Sequence, residues 1–311
     1  MAKIDMAEAG RAALAVCGLL WLGGCTDGEK DCAGDSDCLD LTDAAAGGIS
    51  GGGCPGDTID DSEALPLRTE TLPAGVATLG SPADEPGRRG DELAREVQFR
   101  RDLVVGVHEV TQGQWAELMG TSPSSQPDCP RCPVEGVSWS EAARFANALS
   151  AQEDLEACYD CPDDPAGACE PALPSTCLGW RLPTEAEWEA AARAGGGGPW
   201  AGRGAPDAVA WTADNTSRVC GVGQRDENDL GIVDTSGNVW EWTLDGYGPL
   251  DGLPDEDPWA PPAPTVVLRG GSWFNGAEEA RSAARRAQDP ALATPFIGFR
   301  LVRSVDSTLG P

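Results

Sequence analysis

The chain has 311 residues with 41% hydrophobic content, enough for one sizeable core, and 51 acidic residues against 22 basic ones leave a formal charge of -29. That sign repels phosphate backbones and anionic surfaces, so no nucleic acid partner is expected. Twelve cysteines suit an oxidising compartment, and a single histidine, His108, excludes sites that need two imidazoles as ligand or base.

Lys3 and Arg11 precede "AALAVCGLLWLGGC", an apolar run as long as a signal-peptide core and too short to cross a bilayer as a helix. It ends in Leu22-Gly23-Gly24-Cys25, which resembles a lipobox, where a signal peptidase cuts before a lipid-modified cysteine. Residues 1–24 are therefore expected to be a lipoprotein signal peptide and Cys25 the lipid attachment. The alternative is an ordinary secretory signal cleaved nearby. The expected location is the cell envelope, anchored by lipid to a membrane and facing the periplasm or the surface. Residues 25–66, rich in Asp, Gly, Ala and Ser, read as a flexible linker. One domain is expected over 67–304, with 305–311 as a tail.

Within the domain, "GVATLGS", "LVVGVHEVT", "TVVLRGGSW" and "GFRLVRS" read as short strands punctuated by glycine. Three segments read as helices. "TQGQWAELMG" starts at Thr111 and stops at Gly120. "SWSEAARFANALSA" has Ser138 and Glu141 at capping-box spacing, with Trp139, Ala142, Ala143, Ala146 and Leu149 on one face. "RLPTEAEWEAAARAG" repeats the box with Thr184 and Glu187, buries Trp188, Ala191 and Ala192, and stops at Gly195. His108 falls inside a strand-like run, which predicts a structural role.

If Cys17 leaves with the signal and Cys25 carries lipid, the remaining cysteines are even in number and suit disulfides, with bridges expected in the 158–177 insertion and the pairing left open. Cys129/Cys132 and Cys158/Cys161 also have zinc-ligand spacing, though an oxidising compartment competes for the thiols. "CPRC" has the spacing of a redox motif, without a neighbouring strand-to-helix pattern to lower a thiol pKa.

Taken in order, "PAGVATLGS", "HEVTQGQWAELMG", "PVEGVSWSEAARFANALS", "WRLPTEAEWEAAARAG", "DTSGNVWEW", "LRGGSW" and "GFRLVRS" resemble the formylglycine-generating enzyme family, or sulfatase-modifying-factor domain, from about residue 70 to 304. The resemblance implies an α+β fold, the formylglycine-generating-enzyme-like variant of the C-type lectin fold, with low regular secondary structure. It also implies calcium at "DTSGNVWEW", held by Asp234, the carbonyls of Gly237 and Val239, and Glu241, with Trp240 and Trp242 as packing anchors; calcium takes six to eight such oxygens. The alternative is that Glu241 pairs with a core arginine such as Arg269 or Arg300. A second calcium site of the family would begin at Asn215 and Thr216, but no match for its other ligands follows.

Members of that family that oxidise a substrate cysteine hold copper(I) with two cysteines shortly after Gly-Gly-Ser. Here Ser272 matches, Asn275 stands in the first cysteine's place, and no cysteine follows Cys220. Copper is not expected, because the soft ion needs thiolates. Two functions remain. One is a calcium-stabilised module binding a peptide or another ligand in a groove with Ser272, Trp273, Asn275, Arg281 and Arg285. The other is a divergent oxidoreductase of the formylglycine-generating or iron-dependent branch, using carboxylates such as Glu278 and Glu279.

Overall fold

Each of the three capped segments forms a helix, and in each a reciprocal capping box satisfies backbone N–H groups that the first turn leaves without partners. In α1 (Gln112–Met119) Thr111 and Gln114 make the box, in α2 (Trp139–Gln152) Ser138 and Glu141, and in α3 (Glu185–Arg193) Thr184 and Glu187. α3 stops as expected: Ala194 is the C-cap, left-handed at φ 46° with its N–H bonded to the Ala190 carbonyl, and Gly195 follows at C′ with φ 77°. A one-turn helix, α4, spans Pro206–Val209.

The computed structural model describes Cys54, residues 65–202 and residues 204–305, all within the unit Ile49–Pro311. The expected signal peptide and Cys25 lie outside the described residues, as do most of the linker and the tail beyond Val305. Strands are short. Antiparallel β1 (Thr69–Leu72), β4 (Asp102–Gly106) and β11 (Val302–Val305) form one sheet in that order. A second runs β10 (Ile297–Gly298), β7 (Trp240–Gly246), β8 (Val266–Arg269), β9 (Arg285–Gln288), with β10 parallel to β7 and the rest antiparallel. β2 (Gly75–Leu79) pairs with β3 (Arg95–Phe99), and β5 (Tyr159–Asp160) with β6 (Glu170–Pro171). Helices and sheets mixed with long irregular stretches make an α+β architecture.

The main apolar core lies between α1, α2 and the β7 sheet: Trp115 stacks on Phe145 at 5.4 Å, and Phe299 meets both edge-on. Around α3 the packing is ionic. All nine residues of this helix are buried, where the sequence predicts a stripe of Trp188, Ala191 and Ala192. Burial of three glutamates is tolerated because each meets a guanidinium: Glu185 meets Arg285, Glu187 meets Arg181, and Glu189 meets both Arg193 and Arg269 at 2.5 to 2.8 Å.

All eight cysteines among the described residues are paired: Cys54–Cys220, Cys129–Cys132, Cys158–Cys177 and Cys161–Cys169. These bridges remove the thiolates a zinc site would need and place two bonds in the 158–177 insertion. Cys54 belongs to the stretch expected to be linker, yet its residue is buried and tied across 166 residues of chain. His108 lies just past β4, buried, with Nδ1 2.7 Å from the Glu109 carbonyl; burial lowers its pKa to about 4, so the ring is neutral.

Candidate metal turn and ligand groove

The turn before β7 is fixed by its backbone. Asp234, Gly237 and Asn238 all have positive φ, and a Cβ on Gly237 would sit 1.9 Å from the Trp211 carbonyl oxygen, so only glycine fits there. The Gly237 N–H bonds the Gly270 carbonyl, and the Asn238 side chain bonds the backbone N–H and carbonyl of Cys220. The chain then enters β7, where both tryptophans are buried with their indole N–H groups satisfied, Trp240 by Asn275 and Trp242 by the Val137 carbonyl.

Glu241 is fully buried, and both of its oxygens are taken. Arg300 donates to them at 2.7 Å from Nε and from Nη2, and Trp188 Nε1 adds a third bond at 2.7 Å. Of the two arginines considered from sequence, Arg300 is the partner; Arg269 serves Glu189 and the Ala284 carbonyl. A carboxylate so engaged has little left to offer an ion.

A different carboxylate lacks a partner. Glu109 is fully buried and neither of its oxygens has a hydrogen bond, while Asp234 accepts the Gly223 N–H on Oδ2 and leaves Oδ1 without a donor. Burial raises the Glu109 pKa well above the usual carboxylate range, with the charges of Asp234 and Glu241 adding to it, and burial likewise raises Asp234 to about 6. Three buried carboxyl groups thus face the Arg300 guanidinium, with Arg225 acting on Asp234 as well, and the surplus calls for protons or a cation. Among the described residues no three or more His, Cys, Asp or Glu side chains form a metal-holding group. A calcium ion here would rest on two carboxylates, Asp234 and Glu109, together with main-chain carbonyls of the turn; the hard-oxygen chemistry fits. Glu109 escapes the sequence reading, although a charged residue inside the apolar run "VVGVHEV" was the available signal.

Beyond β8, two glycines with positive φ carry the chain under Trp188 and against Ala280, and a Cβ on Gly271 would meet the Ala280 backbone at 2.9 Å. This places Ser272 so that its hydroxyl donates to Asn275 Oδ1 at 2.7 Å, an oxygen that also accepts from Trp240. Half-buried Trp273 and Phe274 pack with Phe296 at centroid distances of 4.9 to 5.7 Å, and Trp273 Nε1 has no acceptor.

The family model described as the sulfatase-modifying factor enzyme 1-like domain matches residues 62–305. The chain belongs to this family. It is 32% identical over 234 residues to chaperone protein LppX of Paenibacillus barcinonensis, covering 65% of this chain and 80% of LppX. It is 29% identical over 279 residues to inactive C-alpha-formylglycine-generating enzyme 2 of Mus musculus, covering 75% of this chain and 84% of that one. Among solved structures, Treponema denticola variable protein 1 is similar at a TM-score of 0.70 and 29% identity, over 78% of this chain and 96% of that one. The fold is that of the formylglycine-generating enzyme group.

Within this sulfatase-modifying-factor domain, the residues expected to line a groove separate into two groups. Ser272, Trp273 and Asn275 come together. Arg281 and Arg285 do not join them: Arg281 is buried against Glu85 and Glu92, and Arg285 against Glu185, so both guanidinium groups are spent inside the fold. Glu92 is correspondingly held below its usual pKa by Arg281 and Ser81 despite its burial. Glu279 pairs with Arg89. Asn215 and Thr216 bond locally, to Thr212, Ala210 and Arg218.

Proposed function

We propose that this is an exported, lipid-anchored and calcium-stabilised domain that binds a peptide or protein ligand without oxidising it. The observation that carries the reading is the donor set after Ser272: an amide at Asn275, with all eight cysteines among the described residues in disulfides, leaves no thiolate pair for copper(I). What remains is a half-buried aromatic surface of Trp273 and Phe274, backed by the buried Phe296, beside a Ser–Asn pair, a combination that suits apolar side chains and a few backbone polar groups. Likeness to a protein named a chaperone and to one named inactive supports binding over catalysis. Disulfides support export, and "LGGC" supports an anchor at Cys25. Calcium would hold the turn through Asp234 and Glu109, with the Gly237 and Val239 carbonyls.

The test is a pair of measurements on the purified chain. Incubated with copper(I), oxygen and a cysteine-containing sulfatase peptide, it should yield no aldehyde by mass spectrometry. Its intrinsic tryptophan fluorescence should respond to partner peptides, and Trp273→Ala should abolish the response. Aldehyde formation that vanishes in Ser272→Ala would overturn the binding reading in favour of a divergent oxidoreductase.

A further inference from the structure

The Cys129–Cys132 bridge closes a ring over only three residues of sequence separation, whereas Cys54–Cys220 spans 166. The stabilisation a disulfide gives by restricting the unfolded chain grows with loop length, so the short bridge adds the least of the four to the fold. Its loop is held without it. Gln112 and Gly113, at the start of α1, donate N–H groups to the Cys132 and Pro130 carbonyls at 2.9 Å, and Val222 donates to the Arg131 carbonyl at 2.9 Å. Opening the bridge therefore leaves the two sulfurs side by side.

The start of α1 faces the loop, and Arg218 and Asp128 line a pocket beside it. The pocket has a volume of about 210 Å³ and opens onto both Cys129 and Cys132. Cys129 is partly exposed and Cys132 is buried. Both pack near Trp273 through Val219 and Val239, so the pocket adjoins the aromatic surface described above. A helix start that precedes the loop in the chain therefore braces the loop through its carbonyls.

We propose that Cys129–Cys132 is an exchangeable disulfide that accepts electrons from a dithiol on a peptide or protein substrate. A substrate thiolate attacks the sulfur of the partly exposed Cys129, forming a mixed disulfide and releasing Cys132 as a thiolate. The substrate's second thiolate then attacks its own sulfur in the mixed disulfide and releases Cys129. The substrate dithiol ends as a disulfide, Cys129 and Cys132 end as thiols, and the two substrate thiol protons pass to them or to water. A small-molecule disulfide such as oxidised glutathione returns the pair to its starting state. The inference rests on the bridge and its pocket, and stands apart from whether the aromatic surface binds a ligand.

The experiment exposes the intact folded chain briefly to reduced glutathione, quenches with an alkylating reagent and maps every cysteine by mass spectrometry. Cys129 should carry glutathione and Cys132 the alkyl group, at a rate about tenfold or more above the other three bridges, with the near-ultraviolet circular dichroism unchanged. In Cys132→Ser, an oxidised two-cysteine peptide should accumulate as a mixed disulfide on Cys129, and Cys129→Ser should trap none. Opening of all four bridges together, loss of tertiary structure when this one opens, or trapping on Cys132 would each overturn the proposal.

Discussion

Arg300 spends all its donors on the junction beneath the turn that precedes β7: two bonds to Glu241 at 2.7 Å, and one each to the carbonyls of Gly106, Val107 and Val233 at 3.1 to 3.2 Å. One side chain ties the end of β4, the approach to the turn, and β7 together. Removing either member of such a buried pair leaves an uncompensated charge, at a cost of about 3–5 kcal/mol. Arg300→Met and Glu241→Gln should each lower the unfolding free energy obtained from urea denaturation by that amount, and the double variant should recover part of the loss. Single-variant losses below about 1 kcal/mol would show that the pair is not desolvated as described.

Calcium should raise the melting temperature and a chelator should lower it, since an ion bound only by the native state adds about 2.7 kcal/mol at a hundred times its Kd. Glu109→Gln or Asp234→Asn should abolish the response. Glu241→Gln should weaken the fold yet keep a calcium-dependent shift, because its oxygens belong to Arg300. Calorimetry with and without chelator distinguishes the two outcomes.

Asp245 accepts N–H bonds from Glu185 and Ala260, but burial pushes its pKa up to about 8, helped by the charge of Glu185. The folded chain therefore retains a proton there that the unfolded chain has lost, and stability falls as pH rises toward 8. His108 acts oppositely at lower pH: its depressed folded pKa makes stability rise from about 4 to the ordinary histidine value of 6.5. Between pH 6.5 and 8 the raised carboxyls of Asp245 and Glu109 both make stability fall as pH rises, with Asp245 contributing a slope of up to about 1.4 kcal/mol per pH unit. Asp245→Asn should flatten this slope in denaturation curves collected across that window. An equal slope in both proteins would mean that Asp245 is ionised throughout.

Cys25→Ala should release the full chain from membranes into the soluble fraction, as expected if "LGGC" directs lipid attachment. Intact-mass analysis of the wild type should show an acylated N-terminal cysteine. An unlipidated N-terminus elsewhere would leave only secretion.

Reduction of Cys54–Cys220 should be the costliest of the four disulfide losses, on the order of 4–5 kcal/mol from the length of chain it closes. Cys54→Ser compared with Cys129→Ser by chemical denaturation measures the difference.

The helices were legible because their signals are local: Thr184 and Glu187 lie three residues apart, and the bonds they make stay within one turn. The ionic partners were hidden because they come from far along the chain. Glu92 reaches Arg281 across 189 residues, and Glu241 could be assigned a partner only as one of two arginines. Arg281 and Arg285 looked available for a groove because sequence does not reveal burial, and each sits beside a motif that points to function. Ser272 and Asn275 were easier, being three residues apart after an identifiable glycine pair. Glu109 was missed because its significance lies in bonds it does not make, which no spacing encodes.

The position of Arg300, 59 residues after Glu241, has a consequence for how the chain is made. A polypeptide is made amino end first, so Glu241 and its tryptophan neighbour arrive well before the guanidinium that neutralises them. Until Arg300 emerges, docking β7 would bury an unpaired carboxylate, a state several kcal/mol uphill. The β7 junction can therefore close only once Arg300 has been made. A product cut short before Arg300 would remain open and exposed to proteases, so the later-arriving charge acts as a proofreading step on synthesis.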